Sequence, residues 1–400
     1  MRCPTVATMS GPAHPSAGAV ALRDRALAPD AARGAMLLLI ALANVHLYLF
    51  DRPLGVRSYP AGLTGSEAVV AVLQLTLVDG RAYPLFGLLF GYGLGQLVAR
   101  RAAAGVEPHA VIHLVRRRGL WLVVIGVAHV VLLWAGDIVS AYGVLAVALA
   151  GMAVTGTSVS LATTAVVGSV LGAGLGAFSG FSPPGTAPLL SVAVADPVTA
   201  AATRVTEWAG GILISSLLSV VAAVALGVWA ARYRILDEPA AHRRLLGRVA
   251  IGGLLVAVLA GLPLALAAVG VWRPGVGMLL LSGTLHTVGG YAGGLGYAAA
   301  FGLLAAGTRG PGPAMRALAA GGQRSLSCYL GQSVVFAMLL PAWALGLGAR
   351  LTVTQAALLA VGVWLALLLV AAVSARAGYR GPAEVLLRRL TYGRPPRSPA

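Results

Sequence analysis

The chain has 400 residues, is 58% hydrophobic and only 10% charged, and its mean hydropathy is +0.86. A soluble domain carries about 25% charged residues, and a water-facing surface with so little charge would be apolar and aggregate, so the composition excludes a soluble globular protein and points to a bilayer. The net charge of +17 would suggest nucleic acid in a soluble protein; here the 29 basic residues, all arginine, punctuate apolar runs, which excludes nucleic acid as a partner.

Apolar runs long enough to span, about 20 residues each, recur along the chain. The expected fold is an all-α polytopic transmembrane helical bundle of about ten spans, with both termini on the cytoplasmic side. Residues 1–32, rich in Pro, Ala, Ser and Gly, read as a disordered cytoplasmic tail without the pattern of a cleaved signal peptide. The first span, about Gly34 to Phe50, then serves as the insertion signal. An external loop with Pro53, Pro60 and Gly62 leads to a long or broken second span from Ala68 to Val98. It is interrupted by Asp79-Gly80-Arg81 and kinked by Pro84, with Gly87, Gly91 and Gly95 forming one packing face. Span three covers about Gly119 to Ala135. A tight Gly136-Asp137 turn leads to span four, about Ile138 to Val154. Span five is about Leu161 to Phe178, and a Pro-rich external loop follows to about Glu207. Span six is about Trp208 to Ala231, span seven about Val249 to Val271 and span eight about Met278 to Ala306. Span nine is about Ser325 to Leu347 and span ten about Gln355 to Ser374. With the N-terminus inside, 23 of the 29 arginines fall on internal segments, as the positive-inside rule requires. The domains are then a tail over 1–32, a membrane domain over 33–376 and a cytoplasmic tail over 377–400. In the last, Gly381-Pro382-Ala383-Glu384 starts a short amphipathic helix that stops at Gly393 and lies on the inner membrane face.

Embedded polar residues are costly and need a reason. Asn44 shares a helical face with Arg33, and His46 falls nearly opposite. Asn44 is either an interhelical hydrogen-bonding group or part of a site, and His46 either interfacial or substrate-facing. Asp79 and Arg81 form either a local ion pair or the charged rim of an external cavity. His129 lies about two turns from the outer end of span three. Asp137 either caps span four or meets His129 across the tight turn, and a carboxylate beside a histidine is the usual support for a general base. Tyr142 is a third member of that group. His286 sits in a Gly-rich stretch that is either close-packed or lines a cavity. Arg324, Ser325, Tyr329 and Gln332 make a polar stripe entering span nine from the cytoplasm. Cys3 and Cys328 form no disulfide framework or CxxC motif, and the scattered histidines make no metal site.

Several segments taken together resemble the YeiB-like bacterial membrane family, domain-of-unknown-function family 418. They are Asp30-Ala-Ala-Arg33-Gly34 with Asn44; Tyr83-Pro84-Leu85-Phe86 with Leu89-Phe90-Gly91; and Arg117-Arg118 leading to Gly126, His129, Trp134, Gly136, Asp137, Ile138 and Tyr142. The others are Arg324-Ser325-Leu326 with Tyr329 and Gln332-Ser333, and Gly381-Pro382-Ala383-Glu384 followed by Arg389-Leu390-Thr391-Tyr392-Gly393. The resemblance implies a multi-pass protein of the bacterial plasma (inner) membrane. The opening Asp-x-x-Arg-Gly is also similar to the start of broader membrane acyltransferases, in which an embedded histidine follows the arginine by about three turns. Here that position is Asn44, and His46 is two residues late on another face, which leaves His129 as the better-placed base.

Two functions follow as expectations. One is an acyltransferase with His129, Asp137 and Tyr142 as catalytic residues. Arg33, Asn44, Arg324, Ser325, Tyr329 and Gln332 would receive an acyl-coenzyme A donor, arginine suiting its anionic end. His46, Asp79, Arg81 and His286 would face a small-molecule, lipid or glycan acceptor. The other is a transporter or exporter of a small or lipidic solute, in which the broken span two and Gly-rich span eight are interrupted helices at the transport site. A membrane scaffold is a third class, against which the embedded charges argue.

Overall fold

The computed structural model describes residues 26–307 and 311–393. They form sixteen α-helices: α1 (Leu27–Val45), α2 (Gly65–Leu77), α3 (Ala82–Ala103), α4 (Pro108–Leu132), α5 (Val139–Ala148), α6 (Ala150–Thr155), α7 (Ser158–Gly176), α8 (Leu190–Ala193), α9 (Pro197–Glu207), α10 (Leu213–Arg232), α11 (Arg243–Ala268), α12 (Val276–Ala306), α13 (Pro313–Gln323), α14 (Ser325–Leu339), α15 (Val353–Arg376) and α16 (Pro382–Tyr392). No strand occurs among the described residues; an isolated bridge joins Leu54 to Pro60 in the loop before α2.

Seven helical segments are long and apolar enough to cross a membrane: α1, α2 with α3, α7, α9 with α10, α11, α12 and α15. Of the other expected spans, residues 119–135 are mostly the C-terminal half of α4, whose preceding turn carries Arg116, Arg117 and Arg118. Residues 138–154 are two short helices that meet at Leu149. Residues 325–347 yield only the 15-residue α14. Helix α1 begins at Leu27, so residues 27–32 are helical rather than tail; residues 1–25 of the expected tail, and residues 394–400 of the other, lie outside the described residues.

Helix ends follow their local chemistry. Thr352 and Gln355 make a capping box at the start of α15, and Asp196 accepts the Thr199 N–H at 2.7 Å with Pro197 opening α9. Each satisfies amides that have no partner inside the helix. Close approach of the helices rests on glycine. Gly91 and Gly95 of α3 face α10, where a Cβ on Gly91 would strike the Val224 carbonyl, and Gly227 of α10 abuts the Leu88 carbonyl in return. Gly253 of α11 meets the main chain of α12 at Ala292 and Gly296. Helix α1 lies against α3, α12, α13, α14 and α15, and its apolar face joins a core shared with α3, α5 and α10.

The break in the second span is at Gly80, with φ of 76°. A Cβ there would also lie 2.8 Å from the His286 imidazole. Pro84 is not the kink: it is the third residue of α3, where a helix has no use for the missing N–H. The break lies beside Ala257 and Gly290, near the middle of α11 and α12. Irregular backbone within a membrane protein is tolerated where protein surrounds it.

A buried histidine–carboxylate pair and a second polar cluster

His129 closes the last turn of α4, and the chain reverses through residues 133–138 into α5. The reversal brings Asp137 Oδ1 to 3.0 Å from His129 Nδ1, in ion-pair contact though not aligned as a hydrogen bond. Both side chains are fully buried. Asp137 Oδ2 accepts the Ser140 N–H at 2.6 Å, so the carboxylate both caps α5 and faces the histidine. Gly126, one turn before His129, makes room: a Cβ there would lie 2.6 Å from Asp137 Oδ2.

The other imidazole nitrogen, Nε2, has no hydrogen-bond partner among the described residues, nor do the buried hydroxyls of Tyr142 and Tyr329. The Tyr329 ring, from α14, is 5.1 Å from His129. Tyr142 stacks on Phe86 and Phe90 of α3. Tyr83, within electrostatic reach of both hydroxyls, donates to Asn44 Oδ1 at 3.0 Å. Four elements thus converge on one buried group: α4 with its turn, α5, α14 and the start of α3.

A second cluster surrounds the α2–α3 break. Asp79 is held by Arg57, a residue from the loop before α2, at 2.8 Å and 3.0 Å. Arg57 has φ of 59° and Ser58 of 60°, left-handed values uncommon for non-glycine residues. Arg81, 0% exposed, does not pair with the Asp79 carboxylate. It donates to the Asp79 carbonyl at 2.6 Å, to the Ala257 carbonyl at 2.5 Å, and lies 3.0 Å from His286 Nδ1. His46 stacks on Tyr59 with centroids 4.2 Å apart, and Tyr59 donates to Gln74 Oε1 at 3.0 Å. All four sequence-predicted acceptor-side residues, His46, Asp79, Arg81 and His286, are therefore buried together. The glycines of α12 there are close-packed: Gly290 abuts the Gly80 carbonyl, Gly293 the Arg81 side chain and Gly294 the main chain at Leu85.

The residues expected at the cytoplasmic end do not form one group. Arg33 pairs with Asp30 at 3.1 Å and donates to the Leu89 carbonyl at 2.6 Å. Arg324 donates to the carbonyls of Ala320, at 3.0 Å, and Tyr379. Gln332 donates to the Leu37 carbonyl at 3.1 Å, Asn44 belongs with Tyr83, and Tyr329 belongs with His129. Ser325 is the half-buried first residue of α14. That helix start is capped from far along the chain: Glu384 of α16 accepts the N–H of Leu326 at 2.8 Å and of Ser327 at 3.2 Å, and the Ser327 hydroxyl at 2.5 Å.

Sequence reasoning missed Arg57, Tyr59, Gln74, Tyr83 and the reach of Glu384. The Tyr83 and Glu384 motifs were in view, but their partners are not sequence neighbours; for Arg57 no periodicity could have signalled it. No group of three or more His, Cys, Asp or Glu placed to hold a metal ion occurs among the described residues.

Residues 230–394 match the family model described as "Protein of unknown function (DUF418)". The match supports the DUF418 family. It takes in the end of α10 and α11 to α16, and so covers His286, Arg324, Tyr329 and Glu384, while His129 and Asp137 lie before it. No curated protein matches the chain. The helical fold and the DUF418 match agree on a membrane protein.

Proposed function

We propose that this DUF418 protein is a membrane-embedded acyltransferase whose general base is His129. The observation that supports it is the pair itself: Asp137 lies in ion-pair contact with Nδ1, and Nε2 is left without a hydrogen-bond partner among the described residues, with the Tyr329 ring 5.1 Å from the imidazole. In this reading Nε2 takes the proton of an acceptor hydroxyl or amine as its oxygen or nitrogen attacks the donor's thioester carbonyl. The thiolate leaves and recovers that proton from the imidazolium. Tyr142 and Tyr329 bind the carbonyl oxygen as charge develops on it. The donor is an acyl-coenzyme A thioester, its anionic end toward Arg33 and Arg324. The acceptor is a small molecule or a lipid or glycan. The chain spans the bacterial inner membrane about ten times with both termini in the cytoplasm, α4, the α5–α6 pair and α14 supplying the spans beyond the seven long ones.

The test is melting of the detergent-purified chain against coenzyme A and a panel of acyl-coenzyme A thioesters, followed by thiol release with candidate acceptors. Binding raises the melting temperature by mass action, and His129→Ala should lower the transfer rate by about 10²–10⁴-fold while the donor still shifts the melt. Transfer unchanged by His129→Ala and Asp137→Asn, in folded protein, would sink the mechanism.

A second reading, a transporter of a small or lipidic solute, is favoured by the α2–α3 break with its buried Asp79, Arg81 and His286, since interrupted helices recur at transport sites. Solute flux in proteoliposomes without covalent change would select it.

A further inference from the structure

One end of α11 carries a feature that neither reading uses. Arg243, Arg244 and Arg248 are exposed there, and none of them makes a hydrogen bond or ion pair among the described residues. With Gly247, Ile251 and Gly252 they line an open groove of about 460 Å³. The two glycines answer no demand from within the chain: a Cβ on either would meet nothing within 4 Å, whereas one on the neighbouring Gly253 would strike the main chain of α12. The groove is thus a hollow that the protein's own packing does not require.

The same face continues as an apolar lane. At 3.6 residues per turn, Arg244, Arg248, Ile251, Leu255, Leu259 and Leu262 follow one another at three- and four-residue steps on one side of α11. Ile251 is 75% exposed, Leu255 55% and Leu259 60%, so no other helix covers that side. In a membrane-spanning helix this order, cations at the end and bare aliphatics beyond, matches an amphiphile with a negative head and a hydrocarbon tail.

We infer that this groove is a binding site for an anionic phospholipid, its phosphate held by Arg244 and Arg248 with Arg243 beside them, and one acyl chain lying along Ile251, Leu255 and Leu259. Arginine suits the phosphate because its planar donors engage two oxygens at once, and a basic cluster at the membrane surface selects negative headgroups over zwitterionic ones. The site is independent of the His129 pair.

The experiment is thermal melting of the full-length detergent-solubilised chain titrated with short-chain phosphatidylglycerol, phosphatidylcholine of equal chain length, and inorganic phosphate. Phosphatidylglycerol should raise the melting temperature saturably, and the other two should not. Arg244→Gln/Arg248→Gln should move half-saturation up by roughly 30-fold, at about fivefold per arginine, and Arg244→Lys/Arg248→Lys, which keeps the charge and loses the two-oxygen fork, should fall between the parent and the glutamine variant. Ile251→Ser/Leu255→Ser should weaken it with the arginines intact. Equal half-saturation in the glutamine variant, an equal response to phosphatidylcholine, or a full response to phosphate alone would each overturn the assignment, the last by making it a bare anion site.

Discussion

Gly126 and Asp137 set the geometry of the central pair. Any side chain at position 126 pushes the carboxylate off both His129 and the Ser140 amide. Gly126→Ala should therefore lower stability by about 1–3 kcal/mol, the usual range for overpacking, read as an earlier thermal midpoint. At the other cluster, Arg57 and Asp79 hold each other. Removing Arg57 alone leaves a buried carboxylate without a cation, a loss of about 3–5 kcal/mol in comparable pairs. Arg57→Ala should melt well below the parent, and Arg57→Ala/Asp79→Ala should recover much of the difference. Equal destabilisation by the single and double changes would show that the pair carries no such coupling. Some of this was readable beforehand. The tight Gly136-Asp137 turn left Asp137 either to cap the next helix or to meet His129, and it does both. Arg57 was not readable, because a loop residue in a left-handed conformation has no periodic signature and its partner lies 22 residues away.

At the scale of helices, glycine spacing was the most informative signal. Gly87, Gly91 and Gly95 predicted a flat face, and the structure sets that face against α10. Gly91→Leu should separate α3 from α10 and destabilise the protein more than Gly247→Leu, whose position is empty; differential melting of the two variants checks this. The short helix α16 was expected from Pro382 and Glu384, and its bounds are close to those read from sequence. What Glu384 does was hidden, because a cap supplied from another helix is invisible to local patterns. Glu384→Ala should cost about 0.5–2 kcal/mol, the range for a lost N-cap, measurable by unfolding. It should also loosen the helix that carries Tyr329, so any transfer activity should fall further than the stability loss alone explains.

For the molecule as a whole, hydropathy identified the class and the helical content. Residues 119–135, 138–154 and 325–347 are apolar enough in sequence, yet they fold as part of a charged helix, two short helices and a 15-residue helix. Apolarity states what a segment can be buried in; it does not state whether that is lipid or neighbouring helices. Under the ten-span topology, cysteines placed at Gly105 and Arg243 should react with a membrane-impermeant thiol reagent only from the cytoplasmic side, and one at Gly185 only from the other. The cap on α14 also has a consequence in time. Glu384 lies 57 residues beyond Ser327, and at about 5–20 residues per second those residues take about 3–11 s to synthesise. Until that interval has passed, α14, with Tyr329 on it, has no Glu384 to cap it. The central site is therefore assembled late in synthesis, and a chain that stalls before α16 leaves a nearly complete bundle with an unfinished centre.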